Sequence, residues 1–268
     1  MDYAARLLRA LPDGLREKLR DSEGARAALV ALLLAPKDEV MQAQLDAVKG
    51  AKGAAAGLGA LAEQARALAP LTRRLGAVLH MPVIDLALPA IKASAEAAKS
   101  ELLAALEAVI NADRRVSLHE FVVLTLIRSQ LAPRNKPGAA GNRRILDLQA
   151  ETLVVLSLIA YAGIRQDATG KRGEELAAAM SAGCKEMGIA QAPAATALRL
   201  EIAATALEAL TALAPMQKAI LVKGLFAAVS ADGTIRVVEA ELMRLVGAVL
   251  DCPLPPLLES IDPATLAA

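Results

Sequence analysis

The amino-acid sequence predicts an all-α protein, a multi-helix bundle, and three observations carry this prediction. Alanine and leucine, which favour helices, are abundant in a chain that is 55% hydrophobic. The 268 residues include no Trp, two Tyr and two Phe, so small and aliphatic side chains must fill the core, and helix axes can approach closely. Apolar residues recur at helical spacing, and no segment shows the alternation of a strand.

Short polar and proline signals mark the first helix starts, which are predicted at Pro12-Asp13, Ser22-Glu23 and Lys37-Asp38. The Gly/Ala-rich residues 50–59 indicate a loose turn that leads into another helix. Further along, two prolines bracket a short apolar piece, residues 83–88, which we expect to be buried.

A proline- and glycine-rich segment divides the chain. Residues 132–142 hold two prolines and two glycines without apolar periodicity, which indicates an exposed linker. It separates an N-terminal helical unit, residues 1–131, from a C-terminal helical unit, residues 143–268. Helices of the second unit are predicted over residues 145–162, 174–187, 194–213, 216–230 and 237–250.

The sequence argues against nucleic acid and membrane as partners of this chain. Lys and Arg total 30 against 29 acidic residues, and the basic doublets lack interleaved aromatics, so we expect no nucleic-acid binding. The longest apolar run, residues 153–164, is shorter than the ~20 residues of a membrane-spanning helix, so we expect no direct membrane insertion.

The two cysteines form no disulfide framework, which suits the cytoplasm.

The sequence contains an internal repeat of one helical unit. Residues 106–120, LEAVINADRRVSLHE, align without gaps on residues 225–239, LFAAVSADGTIRVVE, at a constant offset of 119. Each copy predicts a helix, a tight turn and a second helix. Two copies predict two pseudo-symmetric helical units.

The repeated corner has a structural interpretation. The first helix ends at Ala-Asp, the chain turns through a position that Gly233 fills in the second copy, and Val116 or Ile235 fills the corner. A glutamate then lies in the first turn of the next helix, where the positive end of the helix dipole favours it.

The same acidic pairs could instead bind a metal. Asp232 and Glu239 lie seven residues apart across the corner and could grip a divalent cation with oxygen ligands. Asp113 and Glu120 are the weaker pair, because Arg114 replaces the glycine and would repel a cation. Capping and metal binding both remain open, and we expect no other cofactor.

The pattern Ala-Asp-Gly-x-Ile-x-x-x-Glu between two helices resembles the TerB-like family of tellurite-resistance and stress-associated helical modules. In that family, acidic residues around the turn are linked to metal binding. The resemblance implies Asp232 and Glu239 as ligands, with Asp113 and Glu120 as the less faithful pair.

A second resemblance covers about residues 5–260. The motifs LxxLPxxLR over residues 8–16, PVIDLALP over 82–89, the Asn-Ala-Asp repeat with Glu120-Phe121, and CPLPPL over 252–257 are similar to a region of certain bacterial membrane-bound zinc metallopeptidases. These are proteases of the HtpX and CaaX-prenyl-protease type, and the region follows their catalytic domain. The resemblance implies a soluble C-terminal part of a longer protease, tethered to the inner membrane through a preceding segment.

The chain itself lacks the catalytic motif of that family, His-Glu-x-x-His. Its nearest approach is His119-Glu120-Phe-Val-Val123, and the only other histidine is His80, whereas a catalytic zinc needs three protein ligands. Residues 179–183 mimic a nucleophile elbow, but they lie in a helical stretch, where a small residue at a helix contact is expected. We therefore predict that this chain is not an enzyme.

The leading hypothesis is a non-catalytic helical accessory domain that regulates or scaffolds the protease. Its partner would be another protein or the catalytic domain of the parent protease. The alternative is a free-standing TerB-like module that binds a divalent cation in a stress response.

Overall fold

The computed structural model describes residues 9–51, 57–112, 116–132, 141–164, 172–195, 198–252 and 254. These residues form twelve α-helices and three short 3₁₀ turns, and the one strand-like contact among them is an isolated bridge between Arg143 and Leu213. The predicted all-α class is confirmed. The described residues fall into two compact units, which divide after Leu131.

The first unit contains seven helices: α1 (Asp13–Lys18), α2 (Ser22–Leu32), α3 (Asp38–Lys49), α4 (Gly57–Thr72), α5 (His80–Lys92), α6 (Glu96–Asn111) and α7 (Leu118–Leu131). Helices α1 to α3 begin where the sequence signals predict. Asp21 caps α2, since its Oδ1 accepts a hydrogen bond from the Gly24 amide at 2.7 Å.

Helix α2 is the centre of this unit and packs against α1, α4, α5 and α6. Its Ala25, Ala28 and Leu29 have no exposed surface. Because alanine occupies several faces of α2, neighbouring helices can surround it closely.

From the sequence, the two prolines at positions 82 and 89 were expected to bracket a short apolar piece. In the structure neither of them interrupts the helix. Both lie within α5. Pro82 falls in the first turn, where the missing amide would have had no intrahelical partner, and Pro89 falls in the last turn. Val83 and Ile84 are fully buried as expected, but Leu86 is exposed.

The second unit contains five helices: α8 (Gln149–Ala162), α9 (Arg172–Met187), α10 (Leu200–Ala209), α11 (Pro215–Val229) and α12 (Val237–Val249). Helix α8 contacts the other four. With the preceding 3₁₀ turn it forms an 18-residue stretch, Ile145–Ala162, whose mean hydropathy of 1.6 would allow it to cross a membrane by length and composition. Here that stretch is the central helix of its unit.

The helix predicted over residues 194–213 is shorter than expected. Residues 191–195, 198 and 199 are not helical, and α10 begins at Leu200. The Ala195 amide donates instead to the buried Ser157 hydroxyl of α8 at 3.0 Å. This bond ties the non-helical segment before α10 to α8.

The helix boundaries of the sequence repeat recur in the structure. Helix α11 begins 119 residues after α6, and α12 begins 119 residues after α7. The helices of the two copies therefore begin at the same spacing. The turn of the second copy carries the candidate site.

Candidate functional site

The turn between α11 and α12 is built on Gly233. Its φ of +77° lies in the left-handed region that favours glycine. Asp232 closes the turn, since its Oδ1 accepts a hydrogen bond from the Thr234 amide at 3.0 Å. The prediction that the second corner turns through Gly233 is confirmed.

Glu239 lies in the first turn of α12 and is only 3% exposed. Its Oε2 accepts a hydrogen bond from the Arg236 amide at 2.8 Å and so caps the helix. Its Oε1 rests against Gly163 at the end of α8, where a methyl group would lie 2.2 Å away. An alanine at position 163 would therefore force this carboxylate to shift.

Arg236 joins the two acidic side chains of the corner. Its Nη2 lies 2.6 Å from Asp232 Oδ2, and its Nη1 lies 3.6 Å from Glu239 Oε2. The two metal ligands predicted from the sequence therefore do face one small volume. A guanidinium of the same chain occupies that volume.

Arg236 and burial act on the two carboxyls with opposite results. Burial opposes ionisation of Asp232, but the hydrogen bonds from Arg236 and the Thr234 amide, with the guanidinium charge, outweigh it and lower the pKa of Asp232. Burial dominates at Glu239 and raises its pKa, against the hydrogen bond and charge of Arg236. The pKa of Arg236 rises, because its two acidic partners outweigh its own burial.

The first corner differs from the second. Glu120 is partly exposed and forms a capping box with Ser117, whose amide donates to Glu120 Oε2 at 2.7 Å while its hydroxyl accepts from the Glu120 amide at 3.2 Å. Asp113 and Arg114 lie outside the described residues. The prediction that Val116 fills this corner is wrong, because its side chain is 41% exposed.

A cavity of about 270 Å³ lies beside the second corner, within the second unit. The ends of α8 and α11 and the starts of α9 and α12 enclose it. Its lining residues are Ala160, Gly163, Ile164, Glu174, Glu175, Ala178, Ala179, Ala228, Val229, Ala231, Asp232, Arg236 and Glu239. Glu174 and Asp232 are exposed, so the cavity opens to solvent at its acidic rim.

Sequence reasoning missed Glu174 and Glu175 as members of this site. Both lie in the first turn of α9, where acidic residues are expected for their effect on the helix dipole. Nothing in the sequence shows that α9 packs beside a corner some sixty residues further on. Only the tertiary packing brings these four carboxylates together.

Of the four carboxylates of the cavity, Glu175 has an oxygen that lacks a hydrogen-bond donor among the described residues. Its Oε2 is buried, and no described residue donates a hydrogen bond to it. A buried carboxylate oxygen without a donor is costly, by about 1–3 kcal/mol. A cationic group in the cavity would offset the charge of Glu175 without reaching this buried oxygen.

The cavity does not form a ready site for a hard metal ion. Calcium takes six to eight oxygen ligands at ~2.3–2.6 Å. In the described part of the second unit, no three His, Cys, Asp or Glu side chains bring ligand atoms within 4.8 Å of one another. The Arg236 guanidinium also lies between Asp232 and Glu239.

The two histidines belong to the first unit. The rings of His80 and His119 contact each other with centroids 4.9 Å apart, and both residues are partly buried. Both are thus packed side chains. Val123, at the position of the second histidine of a zinc-peptidase motif, is fully buried in α7.

Comparison with known protein families, curated proteins and solved structures finds no match for this chain.

Proposed function

We propose that this chain is a non-catalytic helical interaction domain, and that the cavity at the second corner recognises a positively charged group of a partner. Four carboxylates and one guanidinium line the cavity, a formal excess of three negative charges. Two helix carboxyl ends (α8 and α11) and two helix amino ends (α9 and α12) border the cavity, so the helix dipoles add no net charge of either sign and the side chains set the charge. This charge is the observation that carries the proposal.

The composition of the cavity supports binding over catalysis. The described residues that line it are Ala, Gly, Val, Ile, Asp, Glu and Arg, with no His, Cys, Ser, Thr or Lys among them to act as a nucleophile or as a base near neutral pH. The raised pKa of Glu239 would suit a proton donor. Its carboxylate, however, is committed to the Arg236 amide.

The resemblance to zinc metallopeptidases supports a place for this domain beside such an enzyme. In that setting the cavity would receive a side chain of the catalytic domain or of another protein bound to it. A reading frame for His-Glu-x-x-His in the same gene, upstream of this region, is the expected finding. A gene that lacks one would remove the link to the protease and leave the binding proposal intact.

The recognition of cations can be tested with the whole chain by ¹H–¹⁵N correlation spectra. The panel consists of lysine amide, arginine amide, Ca²⁺ and Mn²⁺, with glutarate and phosphate as anionic controls. At least one cation should perturb the amides of Gly163, Ala179 and Gly233, while the anions should leave them unchanged. Anions acting as strongly as cations, or no response to any cation, would reject the proposal.

Divalent-metal binding is the second candidate, and it rests on one observation: Asp232 and Glu239 face a common cation, the Arg236 guanidinium. If the corner can hold a metal ion, removal of that guanidinium should expose the site. Arg236→Gln should then gain thermal stability on addition of Ca²⁺ or Mn²⁺, whereas wild type should not. An equal response of both proteins to every metal would reject this second candidate.

A further inference from the structure

Resting on the proposed function, we infer that the cavity binds a primary ammonium group at the end of an unbranched aliphatic chain. This is the chemistry of a lysine side chain on a partner protein. Three features of the cavity point to it: its size, its division into apolar and acidic walls, and the position of Glu175.

The size of the cavity exceeds that of a bare ion. At about 270 Å³ it equals the liquid volume of about nine water molecules, taking ~30 Å³ for each. A metal ion would leave most of this space to water. A chain of four methylenes with a terminal ammonium extends far enough to use it.

The walls of the cavity differ in polarity. Side chains from three helices form an apolar surface, namely Ala160 and Ile164 of the α8 end, Ala178 and Ala179 of α9, and Ala228 and Val229 of α11. The carboxylates lie on the starts of α9 and α12 and on the turn between α11 and α12. A lysine side chain has the same division, because its methylene stem packs on apolar surface while its head stays among polar groups.

The carboxylates left for a ligand suit an ammonium better than a guanidinium. Arg236 already forms the forked contact with Asp232 and Glu239, so Glu174 and Glu175 remain. Glu175 Oε2 is buried and therefore acts on a ligand through its negative charge and not through a bond in the cavity. A compact ammonium with three rotatable donors can bond to Glu174 at the rim and to water while it lies close to the charge of Glu175.

Quantitative titrations of the whole chain test this inference. The probe is Nα-acetyl-lysine methylamide, followed by amide shifts in ¹H–¹⁵N spectra. The comparison probes are the same molecule acetylated on Nζ, Nα-acetyl-arginine methylamide, Ca²⁺ and Zn²⁺. Binding of the lysine probe should be saturable, should perturb the cavity amides, and should be lost when Nζ is acetylated.

Two matched variants locate the binding. Glu175→Gln keeps the shape of the side chain and removes its charge, and it should weaken binding of the lysine probe by about tenfold or more, because the attraction between two nearby opposite charges is lost. Glu208→Gln removes the same charge from an exposed position of α10 outside the cavity, and it should leave the affinity within about twofold. Circular dichroism shows whether both variants fold. If Glu175→Gln does not fold, Ala178→Leu replaces it, because the larger side chain narrows the cavity at its exposed rim.

The outcomes separate this inference from the function on which it rests. Binding of arginine or a metal ion in preference to lysine would overturn the inference and leave the recognition of cations standing. Equal lysine affinity in wild type and Glu175→Gln would overturn the assigned position of the ammonium. Failure of every cation to bind would overturn both proposals.

Discussion

The Arg236 guanidinium contacts Asp232 and Glu239 in the space where the sequence places a metal ion. An internal cation thus neutralises part of the acidic corner and fixes the first turn of α12. Glu174 and Glu175, with no such contact among the described residues, keep the cavity negative. The corner therefore carries its own counter-charge, while the cavity beside it keeps a negative charge that can attract a cation.

The opposite pKa shifts at this corner predict opposite effects of acid. The lowered pKa of Asp232 means that its ionised form stabilises the fold above its ordinary value of 3.8, and that this contribution is lost as the pH falls through the folded pKa. The free energy of unfolding of wild type, relative to Asp232→Asn, should therefore be larger at pH 6 than at pH 3. Urea unfolding at both pH values measures it, and a difference that does not change with pH would contradict the ion pair with Arg236.

Glu239 should show the reverse dependence. Its raised pKa means that folding favours the neutral carboxyl, so its contribution is greatest below the ordinary value of 4.5 and is lost as the pH rises through the folded pKa. The free energy of unfolding of wild type, relative to Glu239→Gln, should thus be larger at pH 4 than at pH 7. The same urea series measures this difference, and a larger value at pH 7 would show that the contact with Arg236 outweighs burial.

Gly163 is expected to be sensitive to a single methyl group. In Gly163→Ala the new Cβ would lie 2.2 Å from Glu239 Oε1, which should lower the free energy of unfolding by about 1–3 kcal/mol. In a Glu239→Ala background the same change should cost much less, because the clashing atom is gone. Equal costs in the two backgrounds, measured as a double-mutant cycle by chemical denaturation, would show that the two residues do not touch.

Helices α9 and α11 cross with unusually close backbones. A Cβ on Gly224 would lie 2.2 Å from Met187 Cγ and 3.1 Å from the Gly183 carbonyl oxygen. This crossing is the helix contact that the sequence suggested for the small residues 179–183, and α9 is helical throughout that stretch. The two glycines let α9 and α11 bring their halves of the cavity wall together.

Substitution at this crossing tests its role in the fold. Gly224→Ala should lower the free energy of unfolding by about 1–3 kcal/mol, because the methyl group would force the two helices apart. Gly173→Ala, in the first turn of α9 with nothing within 4 Å of the added Cβ, should leave it unchanged or raise it by up to about 1 kcal/mol. Urea midpoints measure both, and an equal loss in both variants would indicate that helix propensity and not packing controls the result.

Elements with strong local signals were predicted well, whereas features set by packing were not. The starts of α1 to α3 and of α12 follow from polar residues at the helix ends, and Gly233 follows from the need for a left-handed turn. The start of α10 was predicted too early, because the residues before it pack on α8, where the Ala195 amide donates to the distant Ser157. Glu175 was missed for the same reason, since its role depends on which helices surround α9.

The division of the whole molecule into two units follows the composition of the chain. The described residues separate after Leu131, at the start of the segment for which the sequence predicts an exposed linker. Limited trypsin digestion should therefore cut first at Arg134 or Lys136 and release two fragments that remain helical by circular dichroism. Mass spectrometry identifies the cut, and first cleavage within α8 or α11 would contradict the two-unit description.

The most direct measurement of the central claim is a crystal structure of the whole chain grown with Nα-acetyl-lysine methylamide. The account predicts the probe within the cavity at the second corner, its methylene chain on the alanine surface and its ammonium beside the carboxylates of Glu174 and Glu175. A cavity filled by another side chain of the protein, or the probe bound only elsewhere on the surface, would contradict it.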